Sequence, residues 1–504
     1  MSRQITRNNY LKSCLLFVLI MCIIGCNGIT KGPSGKSTGE LQFDAANKEL
    51  VEAFDWAKNK ALSFAHDNTD PVGYWYEAAL PNREAFCMRD VSHQAIGAEL
   101  LGLGKHNYNM FLKFAQNISE EKDYCTYWEI NRYNEPAPVD YENDGDFWYN
   151  LPSNFDVTFS AYRLYNWTGN RDYLENRDLR NFYTLSLNEY IDHWDLSSKE
   201  ILHRKRSLHL KEDLASSRFG NKRGIPTYNE GGRGETLIGI DMTASIIAAF
   251  KAYSEMLKIE GKIFESKKYL EQSEREQEFL DEFWWDSEKN AYRSILYEDG
   301  TFDYFMVGKN QAFLHYLLYF EAISDHKKIN GIVNNYKANF PMLIVELKSY
   351  LPILFYENNH PKLANDLIID LCSIDNKRRD YPENSFTVLE HLTRGLMGVD
   401  VNAVSNTFST LPRLEHNEDW AEMKNIPLLS NKITVRHQGM SRTIVTNESG
   451  ETIKWSAQLP GSHRFLYVNG RKTACTSKEN HGRPYSYAMV TLNEGEEITV
   501  AIRP

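Results

Sequence analysis

Three stretches of this chain combine carboxylates with tryptophan, tyrosine and arginine, and a fourth begins at Tyr381. The first spans residues 74–94, the second 127–156 and the third 226–235. One carboxyl group can protonate a leaving oxygen while a second activates water, and aromatic rings cover the apolar faces of sugars. The combination predicts a carbohydrate cleft that contains Arg83, Glu84, Arg89, Asp90, His93, Trp128, Asp146, Trp148, Tyr228, Glu230 and Glu383.

Each of these carboxylates also has a purely structural explanation. Asp90 directly precedes a predicted helix and could cap it, and Glu383 could stabilise the N-terminus of the last helix. Their shared location on long loops favours the catalytic interpretation, because loops on a rigid scaffold commonly carry function. The sequence leaves rival catalytic carboxylates open, namely Asp144, Asp146, Glu230 and Glu390.

Tight turns divide the first four-fifths of the chain into helical hairpins. Six turns combine Gly, Asn, Asp or Pro with a following amphipathic run, at 101–105, 168–171, 260–262, 324–326, 358–361 and 397–400. Hydrophobic periodicity predicts twelve helices, at 46–66, 91–103, 106–117, 156–168, 172–194, 236–259, 262–284, 309–323, 325–337, 344–357, 360–373 and 384–397. Six pairs predict a mainly α fold, an (α/α)6 toroid with its long loops at the end opposite the tight turns. The uneven spacing of the turns argues against an α-solenoid.

The periodicity changes from helical to alternating after Leu411-Pro412-Arg413. From Lys432 onward short runs alternate apolar and polar residues, with turn residues at 447–450 and 469–470. This pattern predicts a small antiparallel β-sandwich over 428–504, packed on a catalytic toroid over 46–425.

The N-terminus has the pattern of a targeting segment. Basic residues precede an apolar run from Cys14 to Gly25, which is too short for a typical membrane-spanning helix. Ile23-Ile24-Gly25-Cys26 resembles a bacterial lipobox, which implies a signal peptide over 1–25 and a lipidated Cys26. A flexible tether follows over 26–45. We therefore expect a cell-envelope lipoprotein, periplasm-facing or at the cell surface, with the membrane contacted only through its lipid; an uncleaved signal anchor is the alternative.

Composition excludes several other kinds of partner. The 504-residue chain has a formal net charge of −11, and it has no basic run, so we expect no nucleic-acid partner. No CxxC or His-rich spacing points to zinc, and the sequence predicts neither a metal nor another cofactor. Cys87 and Cys125 could form a disulfide, although buried free thiols are the favoured interpretation.

The helical plan with a C-terminal β-domain resembles the six-hairpin glycosidases, which include glucoamylases, trehalases and α-L-rhamnosidases. Pro81-Asn82-Arg83-Glu84, followed by Arg89-Asp90 and Gln94, looks like the rhamnosidase segment Pro-Gln-Arg-Glu…Gly-Asp-Ala-Gln. The resemblance implies that Glu84 is the general acid and that Asp90 binds substrate. It also implies that Glu383, near the start of a late helix, is the general base of an inverting hydrolase.

The chain departs from that family in ways that leave the substrate and the activity open. The Trp-Thr of the rhamnosidase motif is missing, and Cys87-Met88-Arg89 stands in its region. One alternative is a polysaccharide lyase acting on uronic acids, in which His93 or Tyr228 would be the base and Arg89 and Asn229 would neutralise the carboxylate. A second alternative is a glycan-binding lipoprotein without catalytic activity.

Overall fold

The computed structural model of this chain describes residues 39–80, 82–204, 218–219, 224–229, 236–305, 313–480 and 482–504. None of the helices in these ranges is long and apolar enough to span a membrane. The α-helices are α1 Lys48–Ser63, α2 Met88–Leu100, α3 Gly104–Gln116, α4 Ser153–Thr168, α5 Asp172–Glu175, α6 Arg177–Leu187, α7 Glu189–His193, α8 Ile240–Ile259, α9 Ile263–Phe279, α10 Tyr316–Tyr319, α11 His326–Asn339, α12 Val345–Lys348, α13 Leu351–Glu357, α14 Pro361–Cys372 and α15 Pro382–Glu390.

Most of the helices lie where hydrophobic periodicity predicts them. Helices α9 and α15 continue into π-helical turns, Leu280–Trp284 and His391–Leu396. Four predictions need correction. The helix predicted at 344–357 is divided into α12 and α13, and of the one predicted at 309–323 only α10 is helical among the described residues. The helix predicted at 172–194 is divided into α5, α6 and α7, and the start of the one predicted at 236–259 is a strand, Thr236–Gly239. That strand pairs with Ile295–Tyr297, so tertiary pairing overrides the local pattern.

One set of helices is buried on nearly every side, and a second set covers it. Helix α4 packs against α2 and α8, and α15 packs against α1 and α2. Helix α8 is apolar around most of its circumference, as a fully enclosed helix must be. Helix α9 is charged on one face and packs its other face on α8. The described helices therefore form packed pairs, in agreement with the predicted hairpins.

A glycine brings two of the buried helices into backbone contact. A Cβ atom on Gly97 of α2 would lie 2.0 Å from the carbonyl oxygen of Phe386 in α15. Only glycine permits this approach. The contact holds α2 and α15 together at these positions, and both helices carry predicted site residues nearer their N-termini.

The strands concentrate in the last hundred residues, and short pairs connect the helices. They are β1 Gln42–Ala45, β2 Ala65–His66, β3 Trp75–Tyr76, β4 Ala85–Cys87, β5 Glu129–Asn131, β6 Tyr141–Asn143, β7 Asp146–Phe147, β8 Thr236–Gly239, β9 Trp285–Asp286, β10 Ala291–Tyr292, β11 Ile295–Tyr297, β12 Phe302–Asp303, β13 Asp400–Asn402, β14 Thr407–Thr410, β15 Trp420–Leu428, β16 Asn431–Gln438, β17 Arg442–Ser449, β18 Ile453–Pro460, β19 Phe465–Val468, β20 Arg471–Ala474, β21 Thr476–Asn480, β22 Arg483–Leu492 and β23 Glu497–Ala501.

The C-terminal strands form two sheets whose boundaries differ from the prediction. One has the order β1-β15-β16-β17-β23-β19-β20, and the other β13-β14-β18-β22-β21. Strand-rich structure thus begins at Asp400 and not at 428, and β14 pairs with β18 in parallel. Strand β1 lies within the predicted tether, and it joins the sheet because Phe43 and Ala45 alternate with polar residues and are buried.

Candidate active site

A cavity of about 390 Å³ opens between the first turns of α2 and α15. Most of its lining comes from three long segments of the sequence, 67–90, 118–155 and 374–383, and none of the tight-turn residues is among the described residues that line it. The lining residues are Ala79, Leu80, Arg83, Cys87, Arg89, Asp90, Gln94, Trp128, Glu129, Asp140, Trp148, Glu346, Arg378, Tyr381, Pro382 and Glu383. The set includes six predicted site residues: Arg83, Arg89, Asp90, Trp128, Trp148 and Glu383.

Glu383 is the most enclosed carboxyl group on the α15 side of the cavity. Its side chain is only 6% exposed, and its Oε1 atom has no hydrogen-bond partner among the described residues. Burial raises the pKa of Glu383 well above its ordinary value, and the Asp90 charge adds to the rise. Arg89 opposes this effect; its Nε donates to Asp90 Oδ1 at 3.3 Å. Asp90 and Glu383 thus form a carboxyl pair with an arginine beside it.

A second carboxyl pair, Glu129 and Asp140, also lines the cavity. Arg83 Nη1 donates to Glu129 Oε2 at 2.8 Å and lies 3.6 Å from Asp140 Oδ2. Burial raises the pKa of Glu129 to about 9, and the neighbouring Asp140 carboxyl raises it further than Arg83 lowers it. Glu129 is therefore a carboxylic acid that keeps its proton at neutral pH.

Strand pairing explains why Glu129 reaches the cavity. Strand β5 lies antiparallel to β4, and this register sets Glu129 opposite Cys87. Cys87 directly precedes α2, so the pairing holds Glu129 beside the helix turn that carries Asp90. The Cys87 thiol is buried and free, as is Cys125, and burial raises the pKa of both thiols.

Glu84 does not line this cavity, contrary to the role that the rhamnosidase resemblance implies. Its backbone has φ 49°, in the left-handed region. Its side chain is 52% exposed, and its Oε1 accepts a hydrogen bond from Arg132 at 2.6 Å. A solvent-facing carboxylate outside the described lining of the cavity is not placed to protonate a leaving oxygen there, so this geometry does not support Glu84 as the general acid.

Three predicted binding residues, His93, Asp146 and Tyr228, are also absent from the described lining of the cavity. His93 is in the core, where its ring stacks on Tyr350 at 3.5 Å and contacts Ser349 at 3.2 Å. Asp146 accepts the backbone N–H groups of Arg218 and Phe219, which makes it a loop-bracing residue.

Tyr228 is buried beneath the site and does not line it. Its hydroxyl donates to Asp156, and the Arg89 guanidinium lies 5.4 Å from its ring centroid. The Tyr228 ring therefore helps to hold the Arg89 guanidinium in place through a cation–π contact.

The rival carboxylates have structural contacts instead. Glu390 accepts hydrogen bonds from Arg163 and Arg394, and Asp144 accepts one from the Tyr141 hydroxyl at 2.7 Å. Glu230 and Cys26 lie outside the described residues.

The cavity also contains residues to which sequence reasoning assigned no role. Glu129 and Asp140 lie in the stretch at 127–156, which stands out in the sequence by its carboxylates and aromatic residues. The sequence did not show which carboxylates of that stretch would reach the cavity. Gln94 belongs to the motif that resembles the rhamnosidases. Glu346, which forms an ion pair with Arg378, carries no comparable signal because it lies within a predicted helix.

A larger cavity of about 530 Å³ has a different character. Residues of two tight turns line it, including His326 and Gly398, together with residues of the C-terminal sheets. Its Arg394 is already paired with Glu390, and Tyr485 is the single aromatic side chain other than histidine in its described lining. No tryptophan is among its described lining residues, and its half-buried carboxyl residue, Glu357, lies near the arginines Arg413 and Arg394.

Several solved structures share this architecture at low sequence identity. An α-L-rhamnosidase from Dictyoglumus thermophilum superposes with a TM-score of 0.57 at 11% identity, over 92% of this chain and 50% of its own. A GH78-family rhamnosidase of Bacillus sp. GL1 superposes with a TM-score of 0.55 at 11% identity, over 81% of this chain and 40% of its own. A putative kojibiose phosphorylase from the human microbiome gives 0.53 at 12% identity, over 91% and 63%.

These similarities establish a shared fold. No protein-family model and no curated protein matches the chain. The chain spans between 40% and 63% of the length of the three solved structures. At identities of 11–12%, the similarity extends to the fold and not to the chemistry of the cavity.

Proposed function

We propose that this protein is a glycoside hydrolase that acts on an oligo- or polysaccharide at the cavity between α2 and α15. The observation that carries the proposal is the meeting of two carboxyl pairs in one cavity, Asp90 with Glu383 and Glu129 with Asp140. Trp128 and Trp148 line the same cavity and offer flat apolar surfaces for sugar rings. We also propose that the helical hairpins close into an (α/α)6 toroid around it.

In the proposed mechanism Glu129 is the general acid. It gives its proton to the glycosidic oxygen as the bond to the anomeric carbon breaks. The nearby Arg83 guanidinium, 2.8 Å from Glu129 Oε2, then stabilises the carboxylate that forms. The raised pKa of Glu129, about 9, keeps it protonated at neutral pH.

Glu383 is the general base in this proposal. It takes a proton from a water molecule, whose oxygen attacks the anomeric carbon from the opposite face and inverts its configuration. Burial and the Asp90 carboxyl group raise the pKa of Glu383. The carboxylate form that acts as the base is therefore present only at a pH above the range in which a glutamate side chain ordinarily ionises. We expect activity to be lost at acid pH, where Glu383 is protonated, and to decrease as Glu129 loses its proton near 9.

Paired variants test both roles. Aryl glycosides first identify a turned-over sugar, and the matching glycosyl fluoride then supplies a leaving group that needs no protonation. Glu129→Gln should lose roughly 10²–10⁴-fold on poor leaving groups and far less on the fluoride, whereas Glu383→Gln should lose comparably on both. If instead Glu383→Gln loses far less on the fluoride and Glu129→Gln loses comparably on both substrates, then Glu383 is the general acid and Glu129 the general base. Near-normal turnover in either variant would remove that residue from the mechanism.

Product analysis tests the reaction class. Proton NMR at early time points should show the anomer opposite to that of the substrate. An ultraviolet-absorbing product with a C4=C5 double bond would identify a lyase, and tight glycan binding without turnover would identify a binding protein.

We further propose that the protein is a lipoprotein anchored through Cys26. The basic start, the short apolar run and the Gly25-Cys26 junction support this proposal. Cys26→Ser should move the protein out of the membrane fraction and should abolish labelling by a fatty-acid probe. A variant that stays membrane-bound and uncleaved would indicate a signal anchor.

A further inference from the structure

Gln94 has an unusual environment for a buried polar side chain. It lies on α2 one turn after Asp90, is only 1% exposed, and lines the cavity. Its amide nitrogen and its amide oxygen are both buried without a hydrogen-bond partner among the described residues. An unsatisfied buried donor or acceptor costs about 1–3 kcal/mol, so this arrangement implies a ligand that supplies both partners.

Helix packing sets Gln94 opposite the proposed base. Gly97 of α2 and Phe386 of α15 are in backbone contact, and Gln94 and Glu383 each lie three residues earlier in their helices. Both side chains line the same cavity, and Glu383 Oε1 also lacks a partner among the described residues. A ligand that contacts Gln94 is therefore held next to the carboxyl group that would activate water.

The charges in the lining indicate which sugars fit. Five carboxyl residues line the cavity, Asp90, Glu129, Asp140, Glu346 and Glu383, against three arginines, Arg83, Arg89 and Arg378. Each arginine already lies within ion-pair distance of a carboxylate, Arg83 of Asp140, Arg89 of Asp90 and Arg378 of Glu346. A carboxylate or sulfate on the substrate would therefore lack an uncommitted arginine in the described lining.

We infer that Gln94 is a specificity-determining residue that binds adjacent hydroxyl groups of a neutral sugar and that the cavity rejects uronic acids. The inference rests on the proposed carbohydrate function of the cavity. A carboxamide donates to one hydroxyl oxygen and accepts from the next hydroxyl, so it matches a vicinal diol. A site built to hydrogen-bond a hydroxyl discriminates strongly against ligands that lack it.

Direct binding tests the inference without requiring turnover. The full chain carrying Glu383→Gln is titrated calorimetrically with matched pairs, glucose with glucuronate, galactose with galacturonate and mannose with mannuronate. At least one neutral sugar should bind, and its uronate should bind more weakly. Adding Gln94→Met, which keeps the size and removes both hydrogen bonds, should weaken the neutral sugar by roughly 5–150-fold.

A stability measurement separates a ligand-binding role from a structural one. Because Gln94 has no partner in the described protein, Gln94→Met should leave the melting temperature of the sugar-free protein unchanged or raise it. A structural role would lower it. Gln272→Met is the matched control, since Gln272 also has a buried unpartnered amide oxygen but does not line the cavity.

Three outcomes would overturn the inference: a uronate that binds more tightly than its neutral partner, Gln94→Met that binds within twofold of its parent, or no sugar binding at all. The first two leave the proposed hydrolase intact, because it can act on other sugars through other contacts. Neutral-sugar binding that depends on Gln94, without any turnover in the wild type, would support the inference and refute the hydrolase.

Discussion

At the residue scale, the environment of a carboxyl group decides its role more than its place in a motif does. Glu84 and Glu129 are chemically identical, and both are bound by an arginine. Glu84 is half-exposed, whereas Glu129 is 1% exposed beside a second carboxyl group. Of the two, only Glu129 is desolvated, and burial raises its pKa to about 9.

Glu84→Gln tests this contrast. We expect kcat/KM within about twofold of the wild type and a stability loss of less than about 1 kcal/mol, because a surface ion pair contributes little. Steady-state kinetics and thermal denaturation measure the two quantities. A hundredfold loss with an intact fold would restore Glu84 as the general acid and refute the geometric argument.

Glu129 should also make stability depend on pH. Its pKa rises from 4.5 to about 9 on folding, so the folded protein keeps a proton that the unfolded chain releases. The associated stability is fully present below the unfolded pKa and is lost as pH rises through the folded value. The melting temperature of Glu129→Gln relative to wild type should therefore increase between about pH 5 and about pH 8. A difference that stays constant with pH would show that Glu129 titrates normally.

At the element scale, two backbone contacts assemble the site. The pairing of β4 with β5 brings Glu129 to the start of α2, and the approach of α2 to α15 at Gly97 brings Glu383 to the same place. Both contacts join segments that are far apart in the sequence. The cavity therefore depends on helix packing as much as on the residues that line it.

Gly97→Ala should disturb that assembly. The new Cβ would meet the Phe386 carbonyl oxygen at 2.0 Å, so the helices must move apart at a cost of roughly 1–3 kcal/mol or more. Thermal denaturation should show the loss, and kcat/KM should fall with it.

Gly331→Ala is the control for this substitution. Gly331 is exposed within α11, and a Cβ there meets no atom within 4 Å. Alanine should therefore be neutral or stabilising by up to about 1 kcal/mol. Equal effects of the two substitutions would show that the contact at Gly97 is not close.

At the scale of the whole molecule, an N-terminal strand joins the C-terminal sheet. Strand β1 pairs with β15, which would be the edge of the sheet without it. The two strands are separated by nearly four hundred residues of sequence. Phe43 is buried in the pairing, and Lys58 of α1 donates to the carbonyl of Leu41. The segment therefore connects the helical part of the chain to the sheet.

Two shortened chains test this connection. A chain that begins at Glu40 keeps β1, and one that begins at Ala46 removes it. The shorter chain should lose roughly 3–6 kcal/mol, because Leu41 and Phe43 leave their buried positions. Equal melting temperatures and equal resistance to protease would return residues 40–45 to the role of a tether.

The sequence by itself determined the helices, the hairpin turns and the long segments that carry the chemistry. Those features depend on local periodicity and turn preferences, which act over a few residues. Six of the residues that the sequence predicts for a site line one cavity, and they are concentrated in segments rich in carboxylates and aromatic side chains.

Only the tertiary structure decided which of the carboxyl groups are buried at the cavity. Glu84 has a left-handed backbone and a half-exposed side chain. The pairing of β4 with β5 holds Glu129 at the cavity, and the contact between α2 and α15 encloses Glu383. Burial then raises the pKa of Glu129 and of Glu383. Because burial is the sum of contacts from distant segments, no local pattern in the sequence encodes it.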